Sequence, residues 1–351
     1  MHRKPFLWLM VLGVAVSVVE NGQSQQSAKA LPVPAIAPNL ARLDQTIHRL
    51  EGMGFAVAYH EEAGVLAAAC EKNAIQLWHK DVLMGVRVGE GTPHVLKGHS
   101  GPVIALAWNG PVLASASADR NVILWNMGDY KIAHTLSSET MIRALAMAPG
   151  GKWLATAGDD PIIQLWDTTT AKPGIKLQGH TDWILCLDFS SDGKWLASGG
   201  HDGIVRIWDV ALGNKLLDIP ARPAPPANMP PATPSTVTTV AFSPDNKLLA
   251  IGTVDNQIHV VNATDGKLAR SLPGHTSAVT SFAFHPSGTV LASGSKDNSI
   301  RLWNPANGQA IKTLEGHTAW VQGVIFIAQG TRIASVGADH TVRLWDLAPR
   351  K

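Results

Sequence analysis

The sequence predicts an all-β fold in which seven similar four-stranded antiparallel sheets stand radially and close into a ring. Three observations predict it: a repeat period near 42 residues, a Trp towards the end of almost every repeat, and Gly- and Asp-marked turns between short apolar runs. Twelve tryptophans against two tyrosines in 351 residues are the compositional trace of that repeat. The hydrophobic share, 45%, is ordinary for a folded chain. Basic and acidic residues, 29 against 27, leave a net charge of +2. That balance argues against a nucleic-acid or other polyanion binder, which needs clustered Lys and Arg. Two cysteines, Cys70 and Cys186, exclude a disulfide scaffold and a cysteine-built zinc site. They fall in the first and fourth units, too far apart for the ~7 Å that a disulfide allows. Two free, mostly buried thiols are expected.

Residues 1–30 read as a signal peptide. Arg3 and Lys4 precede an uncharged, mostly apolar run from Phe6 to Val19, shorter than the ~20 residues that span a bilayer. Ala28-Lys29-Ala30 and Gly22-x-Ser24 are rival cleavage points. The expectation is an exported protein, periplasmic or secreted, with an uncleaved signal anchor as the alternative. Residues 31–42 read as a linker and 43–351 as the folded domain.

The repeat itself is explicit. Gly179-His180-Thr181, Gly274-His275-Thr276 and Gly316-His317-Thr318 align without gaps, and Trp208, Trp303 and Trp345 each follow the His by 28 residues. Between them lie Leu196-Ala197-Ser198, Leu291-Ala292-Ser293 and Ile333-Ala334-Ser335, then Asp202, Asp297 and Asp339. In the fourth unit, strands are expected over 183–189, 195–198, 204–208 and 215–219, with turns at Ser191-Asp192-Gly193 and His201-Asp202-Gly203. Such a sheet is too small to bury its own faces, whereas radial stacking covers both. Seven positions stand in for the Trp: Trp78, Trp125, Trp166, Trp208, Val261, Trp303 and Trp345. The seventh unit lacks room for a fourth strand. Residues 45–52 read like 309–316, so 44–50 are expected to supply that strand and close the ring.

A period near 42 with a Gly-His start and a Trp-Asp end resembles the WD-repeat family of β-propellers from about residue 43 onward. The resemblance implies a seven-bladed β-propeller of four-stranded antiparallel blades. It also implies a hydrogen-bonded tetrad of His, Ser or Thr, Asp and Trp inside a blade. Complete sets are His99, Ser115, Asp119 and Trp125 in blade 2, and His180, Ser198, Asp202 and Trp208 in blade 4. Blade 6 has His275, Ser293, Asp297 and Trp303, and blade 7 has His317, Ser335, Asp339 and Trp345. Ser, His and Asp together suggest a hydrolase triad, but four copies at one period argue for a structural role, since an enzyme needs one site. Blade 3 keeps Thr156, Asp160 and Trp166 with Ser138 in place of the His. Blade 1 has Met53, Ala68, Lys72 and Trp78, and blade 5 has Thr233, Ile251, Asp255 and Val261.

Residues 220–235 carry seven prolines and read as an extended insertion between blades 4 and 5. The family usually binds partners on the top face, on loops held by rigid blades. Candidate contacts there are Glu71, Asp159, His201 and Lys296, each just before a turn position, with Trp183 and Trp320. The sequence holds no G-x-S-x-G, Walker loop, H-E-x-x-H, calcium loop or paired-Cys metal spacing. No catalytic residue, cofactor or metal is therefore expected. The reading is a monomeric, non-catalytic scaffold for a protein or peptide. Two alternatives are an enzyme or small-ligand binder at the channel mouth, using Glu71, Asp159 or His201, and a membrane-tethered assembly factor.

Overall fold

Four short strands cannot make a core alone, and the chain solves this seven times over. The computed structural model describes residues 42–83, 92–222 and 235–347. These form seven four-stranded antiparallel sheets, six of them from consecutive strands. Blade 4 is typical, with Ile184–Phe189 innermost, then Trp195–Gly200, Ile204–Asp209 and Lys215–Pro220. Each expected strand is present, with ends displaced by one or two residues.

Inner strands lie against those of both neighbouring blades, and the inner strand of blade 7 against that of blade 1. They are therefore buried along successive residues rather than alternate ones: Val103–Asn109 is buried at every residue. Outer strands meet solvent, and Lys131–Ser137 buries Leu136 alone. Alanines such as Ala105, Ala107, Ala144 and Ala146 fill the crowded inner positions with no exposure. Every inner strand also carries a register shift near its start, between Val103 and Ala105 in blade 2 and between Ile142 and Ala144 in blade 3. Such a bulge re-aims one side chain per blade towards the rim.

Blade 7 closes the ring. Its three C-terminal strands are Val321–Ile327, Arg332–Gly337 and Thr341–Asp346, and its outer strand is Arg42–Arg49. The register runs from Arg42 opposite Asp346 to Arg49 opposite Thr341. Strand 44–50 was expected here; the pairing begins two residues earlier. Among the described residues the helical content is the short turn Lys80–Leu83, and no helix is long and apolar enough to cross a membrane. Cys70 and Cys186 are free and buried. The expected leader and nearly all of the linker, together with 223–234 of the proline-rich insertion, lie outside the described residues.

Deleting residues 44–50 removes a whole strand's backbone pairing and exposes the edge of Thr341–Asp346. We expect the truncated chain to melt roughly 10 °C lower and to aggregate, a loss of several kcal/mol at about 2 °C per kcal/mol for a domain this large. Differential scanning calorimetry checks this, and wild-type melting would refute the closure.

Candidate functional site

The polar interior of each complete blade is built around one hydroxyl. Trp125, Trp208, Trp303 and Trp345 each donate their indole N–H to Ser115, Ser198, Ser293 and Ser335 at 2.8 Å. An indole can only donate, and a carboxylate can only accept, so a relay must join them. The hydroxyl lies 2.7–2.8 Å from His Nε2, and His Nδ1 lies 2.7–3.0 Å from the Asp carboxylate. The Asp divides its two oxygens. In blade 2, Oδ2 takes His99 and the Ser100 amide, while Oδ1 takes the Asn121 amide of the turn. The preceding glycine lies flat on the indole: a Cβ on Gly274 would sit 3.0 Å from Trp303, and one on Gly179 3.2 Å from Trp208. This close approach explains the Gly-His pair.

Burial alone would raise the carboxyls of Asp202, Asp297 and Asp339, but hydrogen bonds from His180, His275 and His317 and further N–H and O–H donors hold them well below the usual range. Burial lowers the imidazoles of His99 and His317, against the pull of Asp119 and Asp339. One carboxyl moves the other way. Asp188, on the inner strand of blade 4, is pushed up to about 8 by burial, although it accepts the Phe242 amide at 2.8 Å.

The other three blades differ. In blade 3, Trp166 donates to Thr156 at 2.8 Å, and Asp160 Oδ1 takes the Ile162 amide. A cavity of about 260 Å³ adjoins Thr156, Asp160 and Trp166, and Trp166 is only half-buried where its counterparts are buried. In blade 5 the smaller Val261 leaves another cavity of about 260 Å³, lined by Ile219, Ile251, His259 and Leu268. There Arg222 and Thr253 both bind Asp255. Blade 1 requires a correction. The Glu71 amide donates to the Met53 carbonyl as the His201 amide does to Trp183, so Met53 matches Trp183. Leu50, three residues earlier and buried, occupies the place of the His. Leu50 precedes Trp78 by 28 residues, the same step as from His180 to Trp208, so this loop is not shortened.

That same amide bond recurs in all seven blades, at Glu71, Ala118, Asp159, His201, Val254, Lys296 and Ala338, over 2.8–3.0 Å. It sets these residues at equivalent points of one rim. Three of them adjoin one of two exposed tryptophans, Trp183 and Trp320. Arg143, the bulge residue of blade 3, pairs with Asp159 and holds its guanidinium 4.5 Å from the Trp183 ring centroid. His201 meets Trp183 edge-on at 5.4 Å and lies 3.3 Å from the Thr236 hydroxyl. At the other tryptophan, Lys296 sits 4.4 Å over Trp320. Trp183 and Trp320 remain 42% and 43% exposed. Glu71 stands apart and accepts the Met53 amide. Arg143 was missed by sequence reading, although it is the one charged residue among the seven bulge positions Phe55, Ile104, Arg143, Leu185, Thr238, Thr280 and Gln322. Among the described residues no group of His, Cys, Asp and Glu is arranged to hold a metal ion.

Five segments, residues 91–126, 130–167, 171–209, 266–304 and 308–346, match the WD domain, G-beta repeat family, together more than half of the chain. Residues 227–277 match the anaphase-promoting complex subunit 4 WD40 domain. Nuclear distribution protein nudF 1 of Talaromyces marneffei is 33% identical over 134 residues, 36% of this chain and 28% of that protein. Anaphase-promoting complex subunit cdc20 of Dictyostelium discoideum is 33% identical over 129 residues, 34% of this chain and 24% of that protein. WD repeat-containing protein SL1-17 of Schistosoma mansoni is 30% identical over 176 residues, 49% of this chain and 54% of that protein. The matched regions thus span between about a quarter and a half of these relatives. They overturn the expectation of an exported, periplasmic or secreted protein, because nuclear distribution and the anaphase-promoting complex are intracellular systems of eukaryotes.

Two predictions follow from the relay and its charges. Ser198→Ala orphans the buried Trp208 N–H and one His180 nitrogen and should cost about 2–3 kcal/mol, against about 1 for Thr156→Ala beside its cavity; denaturant unfolding checks the difference. The pH response has two limbs. Lowered His99 and His317 and the lowered tetrad carboxyls bind fewer protons when folded, so stability falls as pH drops through about 6.5 and again below about 4. Raised Asp188 binds more, so stability falls as pH rises from about 4 to about 8. Asp188→Asn should raise the melting temperature at pH 8 and leave it unchanged at pH 4, measured by calorimetry across the range.

Proposed function

The chain belongs to the WD domain, G-beta repeat family, and we propose that it is a monomeric, non-catalytic scaffold that binds a protein or peptide on the rim of Gly-His loops and Asp turns, the top face of such propellers. The observation that supports this best is Trp183. Its large indole is exposed over 42% of its surface and is clasped between Arg143 and His201. An aromatic group already fixed in place offers apolar area at little entropic cost, as interface anchors do. Trp320, backed by Lys296, offers a second such anchor. The relatives' names place two of them in nuclear distribution and in the anaphase-promoting complex, roles consistent with assembly rather than turnover.

Catalysis has less support. Glu71, Asp159 and His201 each engage different partners instead of converging on one point. The four buried serines of the relays accept indole N–H groups and face imidazoles inside the blades, so none of these four hydroxyls is free to act as a nucleophile.

The test is photo-cross-linking in the native cell, comparing wild type with a folded variant carrying Trp183→Ala, His201→Ala and Trp320→Ala. Trp183→Ala alone should weaken partner binding roughly 10- to 100-fold, the loss typical of a hot spot, while the melting temperature moves by about 2 °C or less. Equal capture by wild type and triple variant would sink the rim as the site.

A further inference from the structure

From the cavity in blade 3 we infer a binding site for an imidazole-class ring, delivered either as a histidine side chain of a partner polypeptide or as a free small heterocycle. The cavity stands where blades 2, 4, 6 and 7 hold their own imidazole. Its wall includes Thr156, Asp160, Gln164 and Trp166, the counterparts of Ser198, Asp202, Arg206 and Trp208 around His180. The chain supplies no ring here because the loop into the inner strand is shorter. Leu136 and Met141 match Leu177 and Trp183 by strand pairing and by the rim hydrogen bond, yet four residues separate the first pair and five the second. Ser138 falls near the histidine's place and cannot bridge the gap.

The partners that a ring would need are in position. Thr156 accepts the Trp166 indole at 2.8 Å and turns its own hydrogen towards the Gln164 carbonyl over a long 3.4 Å. A ring nitrogen lone pair is a better acceptor for it. Asp160 uses Oδ1 for the turn amide, as its counterparts do. In the complete blades Oδ2 takes the ring N–H and one backbone amide; for Asp160 no hydrogen bond to Oδ2 is formed among the described residues. A carboxylate accepts only, and a hydroxyl that already accepts an indole has its proton to give. The site therefore selects a ring with one N–H and one lone pair in 1,3 relation, which is neutral imidazole. Gln164 leaves room because its amide nitrogen turns to the Leu165 and Gly174 carbonyls, whereas Arg206 reaches His180 and Asp202. The volume of about 260 Å³ holds a five-membered ring and the atoms that carry it, and Lys176 and Glu139 flank it.

The inference stands apart from the rim reading, since ring binding is measured on this chain alone and does not involve Trp183. The full chain, labelled with nitrogen-15, is titrated with imidazole while the indole N–H resonance of Trp166 is followed; Trp166→Phe identifies that resonance by its loss. We expect a saturable shift with a dissociation constant in the millimolar range and no movement of the Trp208 indole. 1-Methylimidazole lacks the N–H, and pyrazole has adjacent nitrogens; both should bind roughly tenfold more weakly or worse, as should imidazole to Asp160→Ala. An unshifted Trp166 resonance, equal binding of 1-methylimidazole, or unchanged affinity in an Asp160→Ala chain whose Trp166 resonance is intact would each overturn the site. N-acetylhistidine methylamide separates the two sources. Binding at least as tight as imidazole assigns a polypeptide histidine, and rejection of it beside bound imidazole assigns a free heterocycle.

Discussion

A four-stranded sheet has two faces and not enough residues to cover either, and that deficit governs the whole molecule. Each inner strand is covered by the blades on both sides, so burial runs through successive residues instead of alternate ones, and polar residues such as Thr280 and Ser281 are buried with the rest. No blade is complete without the next, and the last is completed by Arg42–Arg49 pairing with Thr341–Asp346. The core is thus a ring rather than a point, and stability depends on contacts between residues at opposite ends of the chain. A ring whose blades hold one another by packing can carry loops of varied composition on its rim, because the loops are not asked to hold it together.

Within that frame the hydroxyl relay fixes each blade's internal geometry. The Trp, on the third strand, is tied to a Ser on the second, and the Ser to a His in the loop before the first. The Asp then locks the turn between second and third strands to that loop. Two strands, a loop and a turn are pinned by four side chains whose chemistry allows one order of donors and acceptors. The residue identities are therefore strict, and the glycine before the His is strict too, because the indole lies against it. Where the set is incomplete, the consequence is local. Trp166 becomes half-buried, Val261 leaves space, and Arg222 folds onto Asp255.

This strictness is why the blades were legible from sequence. Period and tetrads rest on residue types that few others can replace in the relay, at nearly constant spacing, and the closing strand on the likeness of residues 45–52 to 309–316. The rim was legible only in part. Asp159, His201, Lys296 and Trp183 could be placed by register, but Asp159 joins Trp183 through Arg143, which no repeat pattern marks. Its signal was subtler: a charge inside the run Met141-Ile142-Arg143-Ala144-Leu145, at a bulge where other blades place apolar or uncharged residues. Asp188 carried the same kind of signal, standing where Ala58, Ala107, Ala146, Ala241 and Ala283 stand elsewhere. Blade 1 was misread because Leu50, which stands 28 residues before Trp78 as His180 stands before Trp208, is apolar and carries no mark of the relay. Export was misjudged for a different reason: an apolar run of leader length is a hydropathy pattern, and hydropathy does not distinguish an address from a coincidence.

The incomplete blades show where such a ring can acquire chemistry. One relay contributes on the order of a few kcal/mol, because each net hydrogen bond gives about 1 and the penalties arise only when a partner is orphaned. Apolar packing between blades survives the loss, as the buried Leu145, Leu154 and Ile163 of blade 3 show. A blade can therefore surrender its histidine without unfolding the ring, provided the remaining groups are not left in a sealed interior. Blade 3 meets that condition: its hydroxyl, carboxylate and indole still stand in relay order, but beside a cavity instead of an imidazole. A structural device that has lost one member in this way becomes complementary to the member it lost. Binding capacity here follows from the geometry of the three residues retained, and the intact blades of the same chain supply the template for what should fit.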